Sequence, residues 1–300
     1  MGEPVSIDAL MASLRAEGYH ADRRLATAVF LALRLGRPLL LEGEPGVGKT
    51  ELARALAAAL GRALLRLQCY DGLELREALY EWNYAAQLLH MKAAEAGGAV
   101  DAQRLEREVY QERFLLPRPL LRALQAPPPG TVLLIDEVDR ADEPFEAFLL
   151  EYLGEFQVSI PELGTVRGQV APVTVLTSNR TRELHDAVKR RCLYHWLDFP
   201  DREREQAILA SRVPEADAGL VAAVARALDR LRQAPLRDAF HRLPGIAEGI
   251  EWTRALVALG TPSLDPRRVV DTAGLLFKQR EDVAALSAEL ITEALSPEAA

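Results

Sequence analysis

The chain has 300 residues, enough at roughly 150 residues per domain for two domains with their own cores and too long for a small module stapled by metal or disulfides. AVILMFWYC residues make up 49% and charged residues 27%, which excludes general disorder. Lys+Arg 36 against Asp+Glu 44 leaves a formal charge of −8, which argues against a protein that mainly coats nucleic acid or an anionic membrane.

In chain order, 6–17 and 22–35 read as amphipathic helices. Pro38 then releases a short apolar strand, Leu39-Leu40-Leu41, followed by a glycine-bearing turn and a helix over 49–60. A second short strand is expected over 63–67. Residues 72–109 are rich in Ala, Leu and Glu and read as helical throughout, broken at Gly97-Gly98. Pro117 and Pro119 open another helix, stopped by Pro127-Pro128-Pro129-Gly130 before an apolar strand over 131–135. A helix over 143–154, a hairpin over 156–168, a strand over 173–177, a helix over 182–191 and a strand over 192–197 come next. Beyond Pro200 the pattern is helical only. Strands alternating with helices imply a parallel sheet with flanking helices, followed by a small all-helical domain. The boundary falls between 199 and 200.

Cys69 and Cys192 show neither a C-x-x-C spacing nor neighbouring histidines, so zinc and disulfides are not expected and a reducing cytoplasm is. The opening MGEPVSIDAL carries acids where a signal peptide needs bases. No run approaches the roughly 18 apolar residues of a membrane span.

Gly43-Glu44-Pro45-Gly46-Val47-Gly48-Lys49-Thr50 satisfies G-x-x-x-x-G-K-[ST] between a strand and a helix that continues with Glu51. Gly46 and Gly48 let the backbone wrap a phosphate chain, and the helix adds its positive end. Lys49 would neutralise the β and γ phosphates of ATP and Thr50 would offer its hydroxyl to Mg2+. A glycine turn that binds nothing would have no use for the Lys-Thr pair. The apolar strand Val132 to Ile135 delivers Asp136, suited to the Mg2+ shell, and Glu137, suited to polarising the attacking water.

These motifs resemble those of the AAA+ ATPases and, within them, the MoxR family: GEPGVGKT resembles its Walker A, LLIDEVDRA at 133–141 its Walker B, and VTVLTSN at 173–179 the strand ending in a sensor-1 residue. LYEWNY at 79–84 and KRRCLYHWLD at 189–198 resemble the CoxD-type subgroup. The resemblance implies an AAA+ core over 1–199 and a helical lid over 200–300, with Asn179 as sensor and Arg191 as an arginine finger reaching a neighbouring subunit. Arg190 rivals Arg191, and cations that merely stabilise a helix C-terminus are the alternative for both. Arg267, in Asp265-Pro266-Arg267-Arg268, resembles the sensor-2 arginine of the family's S-P-R, with a solvated helix start as its alternative.

Residues 72–110 resemble the helix-2 insert and 156–168 the hairpin before sensor 1. There Tyr80, Trp82 and Tyr84 would either touch a client or pack the insert. The family implies a homo-oligomeric ring, a hexamer, with a partner containing a von Willebrand factor A (VWA) domain. It also implies a client metalloenzyme, for this subgroup a molybdenum hydroxylase like carbon monoxide dehydrogenase. Neither nucleic acid nor direct membrane insertion is expected. An AAA+ nucleic-acid motor or clamp-loader relative, and a nucleotide-gated scaffold, are the alternatives.

Overall fold

The computed structural model describes residues 4–96, 101–261, 263–286 and 288–295. Helices α1 (Ile7–Ala16) and α2 (Arg23–Leu35) precede strand β1 (Leu39–Glu42), and α3 (Lys49–Leu60) precedes β2 (Ala63–Gln68). Helix α2 buries Leu25, Ala26, Val29 and Ala32, one helical stripe. Next come α4 (Leu75–Ala78), β3 (Tyr80–Trp82), α5 (Tyr84–Ala96), α6 (Ala102–Val109), β4 (Leu115–Pro117) and α7 (Pro119–Leu124). After these are β5 (Thr131–Asp136), α8 (Glu143–Glu155), β6 (Gln157–Ile160), β7 (Gly164–Arg167), β8 (Val173–Ser178), α9 (Asp186–Arg191) and β9 (Leu193–Trp196). From Arg202 onward the elements are helical: α10 (Arg202–Arg212), α11 (Ala218–Leu231), α12 (Ile246–Ala258), α13 (Pro266–Leu276), α14 (Arg280–Ala285) and α15 (Ala288–Leu295).

The chain divides into two compact units. The first comprises Met1–Leu10, Arg23–Glu42 and Ala53–His195. Its centre is a five-stranded sheet in the order β2-β5-β8-β1-β9, with β2–β5, β5–β8 and β1–β8 parallel. Strands β1 and β5 are buried at every position, as strands covered on both faces must be. The register sets Gln68 beside Asp136 and Glu42 beside Ser178, so these polar residues gather at the carboxyl ends of the strands, where open α/β sheets hold ligands. Leu40, Leu133, Ile135 and Leu176 of the sheet pack with Leu149, Tyr152 and Val188 in its core.

Two expectations are corrected in this unit. Residues 72–110 are not helical throughout: β3 pairs antiparallel with β4, Tyr80 opposite Pro117 and Trp82 opposite Leu115. So short a strand has no periodicity of its own, and its partner lies beyond α6. Gly97-Gly98 lies outside the described residues. Helix α9 begins at Asp186, not 182, because buried Glu146 accepts from the His185 amide at 2.8 Å and pairs with Arg182, pinning the chain before the helix starts. The hairpin stands as β6–β7, antiparallel.

The second unit comprises Met11–Asp22, Gly43–Leu52 and Trp196–Ala300. Leu209, Val224, Leu228, Trp252 and Leu256 lie in its helical core, and Trp252 donates its indole N–H to Thr272 Oγ1 at 2.7 Å. Glu205 and Arg232 form a buried ion pair, both bonds 2.8 Å. Arg232 also donates to the Pro244 carbonyl at 2.9 Å and covers the Phe199 ring at 4.6 Å.

Candidate active site

The phosphate-loop motif lies in the second unit. The first bond of α3 runs from the Leu52 amide to the Gly48 carbonyl at 3.2 Å, so the positive end of the helix starts at the loop. Gly46 has φ +81°, and its carbonyl accepts from the Ala247 amide at 3.2 Å. A Cβ at Gly43 would meet the Leu197 carbonyl oxygen at 2.3 Å, so close approach to backbone requires that glycine, while Gly46, whose Cβ would meet Glu248 Oε2 at 2.7 Å, is required by its positive φ. Val47 is buried and anchors the loop, while Glu44 is exposed and Pro45 half-buried.

Lys49 is buried, and its ammonium donates to the carbonyls of Gly43 at 2.6 Å and Glu44 at 2.8 Å. Thr50 is exposed, and Glu51 pairs with Arg212. The helix start that meets the loop is that of α12, whose Glu248 accepts from the Gly245 amide at 3.0 Å. Arg267 instead heads α13, exposed, its amide and that of Arg268 donating to Asp265 at 2.9 and 3.1 Å.

The acids lie in the first unit. Asp136 ends β5 with its carboxylate buried, and Glu137 turns the chain in the left-handed region at φ 54°, a strained conformation for a non-glycine residue. Thr177 links them: its hydroxyl donates to Asp136 Oδ1 at 2.5 Å and accepts from the Glu137 amide at 2.9 Å. Arg66 donates to Asp136 Oδ2 from Nε at 3.0 Å and from Nη2 at 2.6 Å. Glu137 Oε2 accepts from Gln68 at 3.1 Å and Arg140 at 2.9 Å, and Asn179 Nδ2 reaches Oε1 at 3.5 Å. Asp139, buried, accepts from the amides of Asn179 at 3.2 Å and Thr181 at 2.8 Å, which fixes the segment after β8.

Arg66, Gln68, Thr177 and Asp139 are the members that motif reading misses. Their signal is polar residues at alternate positions of β2 and a threonine in the buried strand β8.

Arg190 and Arg191 close α9. Arg190 is exposed, whereas Arg191 turns back to donate to the Ala187 carbonyl at 3.1 Å, in space left by the missing side chain of Gly154. Cys192 sits at the end of α9 rather than inside a strand, and burial pushes both its thiol and that of Cys69 up to about 12. Trp82 is buried, edge-on to Tyr80 and Tyr110, while Tyr84 is 69% exposed. Among the described residues no group of His, Cys, Asp and Glu could hold a metal by itself, and no helix is long and apolar enough to cross a membrane.

A glycine loop at a helix start and acids at the end of a buried parallel strand define a P-loop nucleotide-binding protein of the ATPase class. Residues 38–192, over half of the chain, match the family described as AAA domain (dynein-related subfamily), and the chain belongs to it. It is similar to the uncharacterized protein YehL of Escherichia coli (strain K12), with 27% identity over 194 residues, 61% of this chain and 48% of that protein. It is also similar to midasin of Giardia intestinalis, with 43% identity over 54 residues, 18% of this chain and 1% of midasin. The chain thus matches about half the length of the first relative and a small part of the second. Among solved structures, the Thermotoga maritima RuvB Holliday junction branch migration motor gives a TM-score of 0.46 at 18% identity, covering 93% of this chain and 74% of that one. A mutant of the Thermotoga maritima RuvB protein gives 0.49 at 18% identity, covering 93% and 75%.

Proposed function

We propose that the protein is a Mg2+-dependent ATPase of the MoxR type that works as a homo-oligomeric ring, a hexamer, and remodels a client protein. The observation that carries the ATPase reading is the pair Asp136–Glu137, joined through one threonine hydroxyl and met by Asn179. A water-polarising acid held by its own set of donors is what hydrolysis needs and a binding-only scaffold does not. By chemistry alone, the carboxylate of Asp136 and the hydroxyl of Thr50 are the hard oxygen donors that a divalent cation takes, its shell completed by phosphate oxygens and water. Bound there, the cation would neutralise charge on the β and γ phosphates.

In this reading 1–199 is the nucleotide-binding core and 200–300 the lid. Gly43 to Thr50 cradle the phosphates, Lys49 leaving its two loop carbonyls for them, and Glu51 holds the helix start through Arg212. Asp136 and Thr50 face the cation, Glu137 accepts the proton of the attacking water, and Asn179 orients Glu137 or the phosphate. Arg191, with Arg190 as its rival, reaches the neighbouring subunit's nucleotide, and Arg267 is the sensor-2 candidate. For Arg191 to act, its bond to Ala187 must break, whereas Arg190 is already exposed. Mixing wild-type subunits with Arg191→Ala or Arg190→Ala subunits separates the two. The true finger should depress hydrolysis by about a thousandfold in the pure variant and poison mixed rings at intermediate ratios. A linear mixing curve for both variants would remove the trans finger.

The client surface is assigned to the insert around β3 and the β6–β7 hairpin. A cavity of about 350 Å3 there is lined by Tyr80, Trp82, Tyr84 and Glu162 among others. A VWA-domain partner and a metalloenzyme client of the molybdenum hydroxylase kind complete the reading, in the cytoplasm. The test is whether hydrolysis responds to a VWA protein encoded beside this gene. Stimulation by DNA without a response to that protein would overturn the reading in favour of a nucleic-acid motor.

A further inference from the structure

We propose that Arg66 is a built-in stand-in for the divalent cation at Asp136: its guanidinium holds the carboxylate oxygen that the cation needs, so cation binding requires Arg66 to leave. The inference deepens the proposed function and rests on its assignment of Asp136 to the cation. Asp136 has two carboxylate oxygens and both are engaged. Oδ1 takes the Thr177 hydroxyl at 2.5 Å, and Oδ2 takes two N–H groups of Arg66 at 3.0 and 2.6 Å. A neutral hydroxyl does not compete with a cation by charge. A guanidinium on the remaining oxygen does, because it occupies that oxygen with two N–H groups and carries the same sign of charge as the cation.

The pair is also lopsided. The Asp136 side chain is 4% exposed and fixed at the end of a central strand, while that of Arg66 is 54% exposed on β2, the edge of the sheet. The acid stays, and the arginine has solvent to move into. A buried carboxylate without a counter-charge is costly, so the Arg66 guanidinium partners Asp136 and holds it in place until the cation takes over. The nitrogen that holds Asp136 also donates to Gln68 Oε1, which fixes the guanidinium beside β2. The price of this arrangement is a lower apparent affinity for the cation, since each binding event displaces a charge-assisted bond.

The experiment titrates Mn2+ into the full-length protein with a non-hydrolysable ATP analogue and reads free Mn2+ by electron paramagnetic resonance. Wild type, Arg66→Ala, Arg66→Gln, Asp136→Asn and the double variant Arg66→Ala/Asp136→Asn are compared at matched fold by circular dichroism. Arg66→Ala and Arg66→Gln should each bind Mn2+ about tenfold more tightly than wild type, and the gain should vanish in the double variant. Using two replacements keeps the result independent of how either one packs. Unchanged or weaker Mn2+ binding in both, with Asp136→Asn still lowering affinity, would overturn the stand-in while leaving Asp136 as the cation residue. If Asp136→Asn leaves Mn2+ binding unchanged, the assignment of Asp136 falls, and the stand-in with it.

Discussion

Replacing Glu137 by Gln is expected to lower steady-state ATP hydrolysis about 100-fold or more while nucleotide affinity stays within a few-fold of wild type. The amide keeps the size of the side chain but cannot take a proton from water. The loss should therefore fall on kcat and leave KM nearly unmoved, because the side chain polarises water rather than gripping phosphate. Its surroundings favour a clean result. Gln68 and Arg140 both donate to Oε2, so a glutamine can keep these bonds by placing its carbonyl oxygen there, and Thr177 holds the Glu137 backbone rather than its side chain. Hydrolysis measured by phosphate release and affinity measured with a fluorescent nucleotide decide it. Unchanged turnover would take Glu137 out of the role assigned to it.

The second large effect concerns stability. Arg232→Ala leaves Glu205 buried without its partner and should cost about 3–5 kcal/mol. It also frees the Pro244 carbonyl and uncovers Phe199, so the helical unit loses three contacts at once. The pH dependence separates them. Burial pushes the Glu205 carboxyl above the ordinary range, and the Arg232 charge and hydrogen bonds oppose that rise. A carboxyl with a raised folded value binds its proton more tightly when folded, so its contribution to stability falls as pH rises through that window. Without Arg232 the folded value rises further. The gap between variant and wild type should accordingly be widest at about pH 8 and narrow toward about pH 4, where Glu205 is largely neutral in both states. Urea midpoints at the two pH values measure it, and a gap that does not change with pH would place the loss on Phe199 and Pro244 instead of the charge.

What could be read from the sequence divides along a physical line. The phosphate loop and Asp136–Glu137 are contiguous runs whose chemistry and backbone demands coincide, and the strands β1, β5 and β8 are apolar enough to declare themselves. Arg66, Gln68 and Thr177 become members of the site only through the parallel register that lays β2 and β8 against β5. No local pattern carries that register, although polar residues in half-buried or buried strands are its trace. Strand β3 escapes for a related reason: three residues set no period, and their pairing partner comes after two further helices. In the helical region the eye goes to the charged start of α13 with Arg267. The loop is met instead by α12, whose glycine and glutamate carry no signature of a phosphate site.

The contact between Gly46 and the start of α12 bears on how far the motif can be moved. Part of the packing of residues 43–52 comes from the chain beyond residue 196: Gly43 lies against Leu197, and Gly46 against Gly245, Ala247 and Glu248. A fragment ended at residue 199 would retain every letter of the phosphate motif and lose the wall against which Gly46 is shaped. The same holds for grafting residues 43–50 into a foreign strand–helix turn. The loop is cast by a mould supplied from late in the chain, and it is inherited only together with that mould.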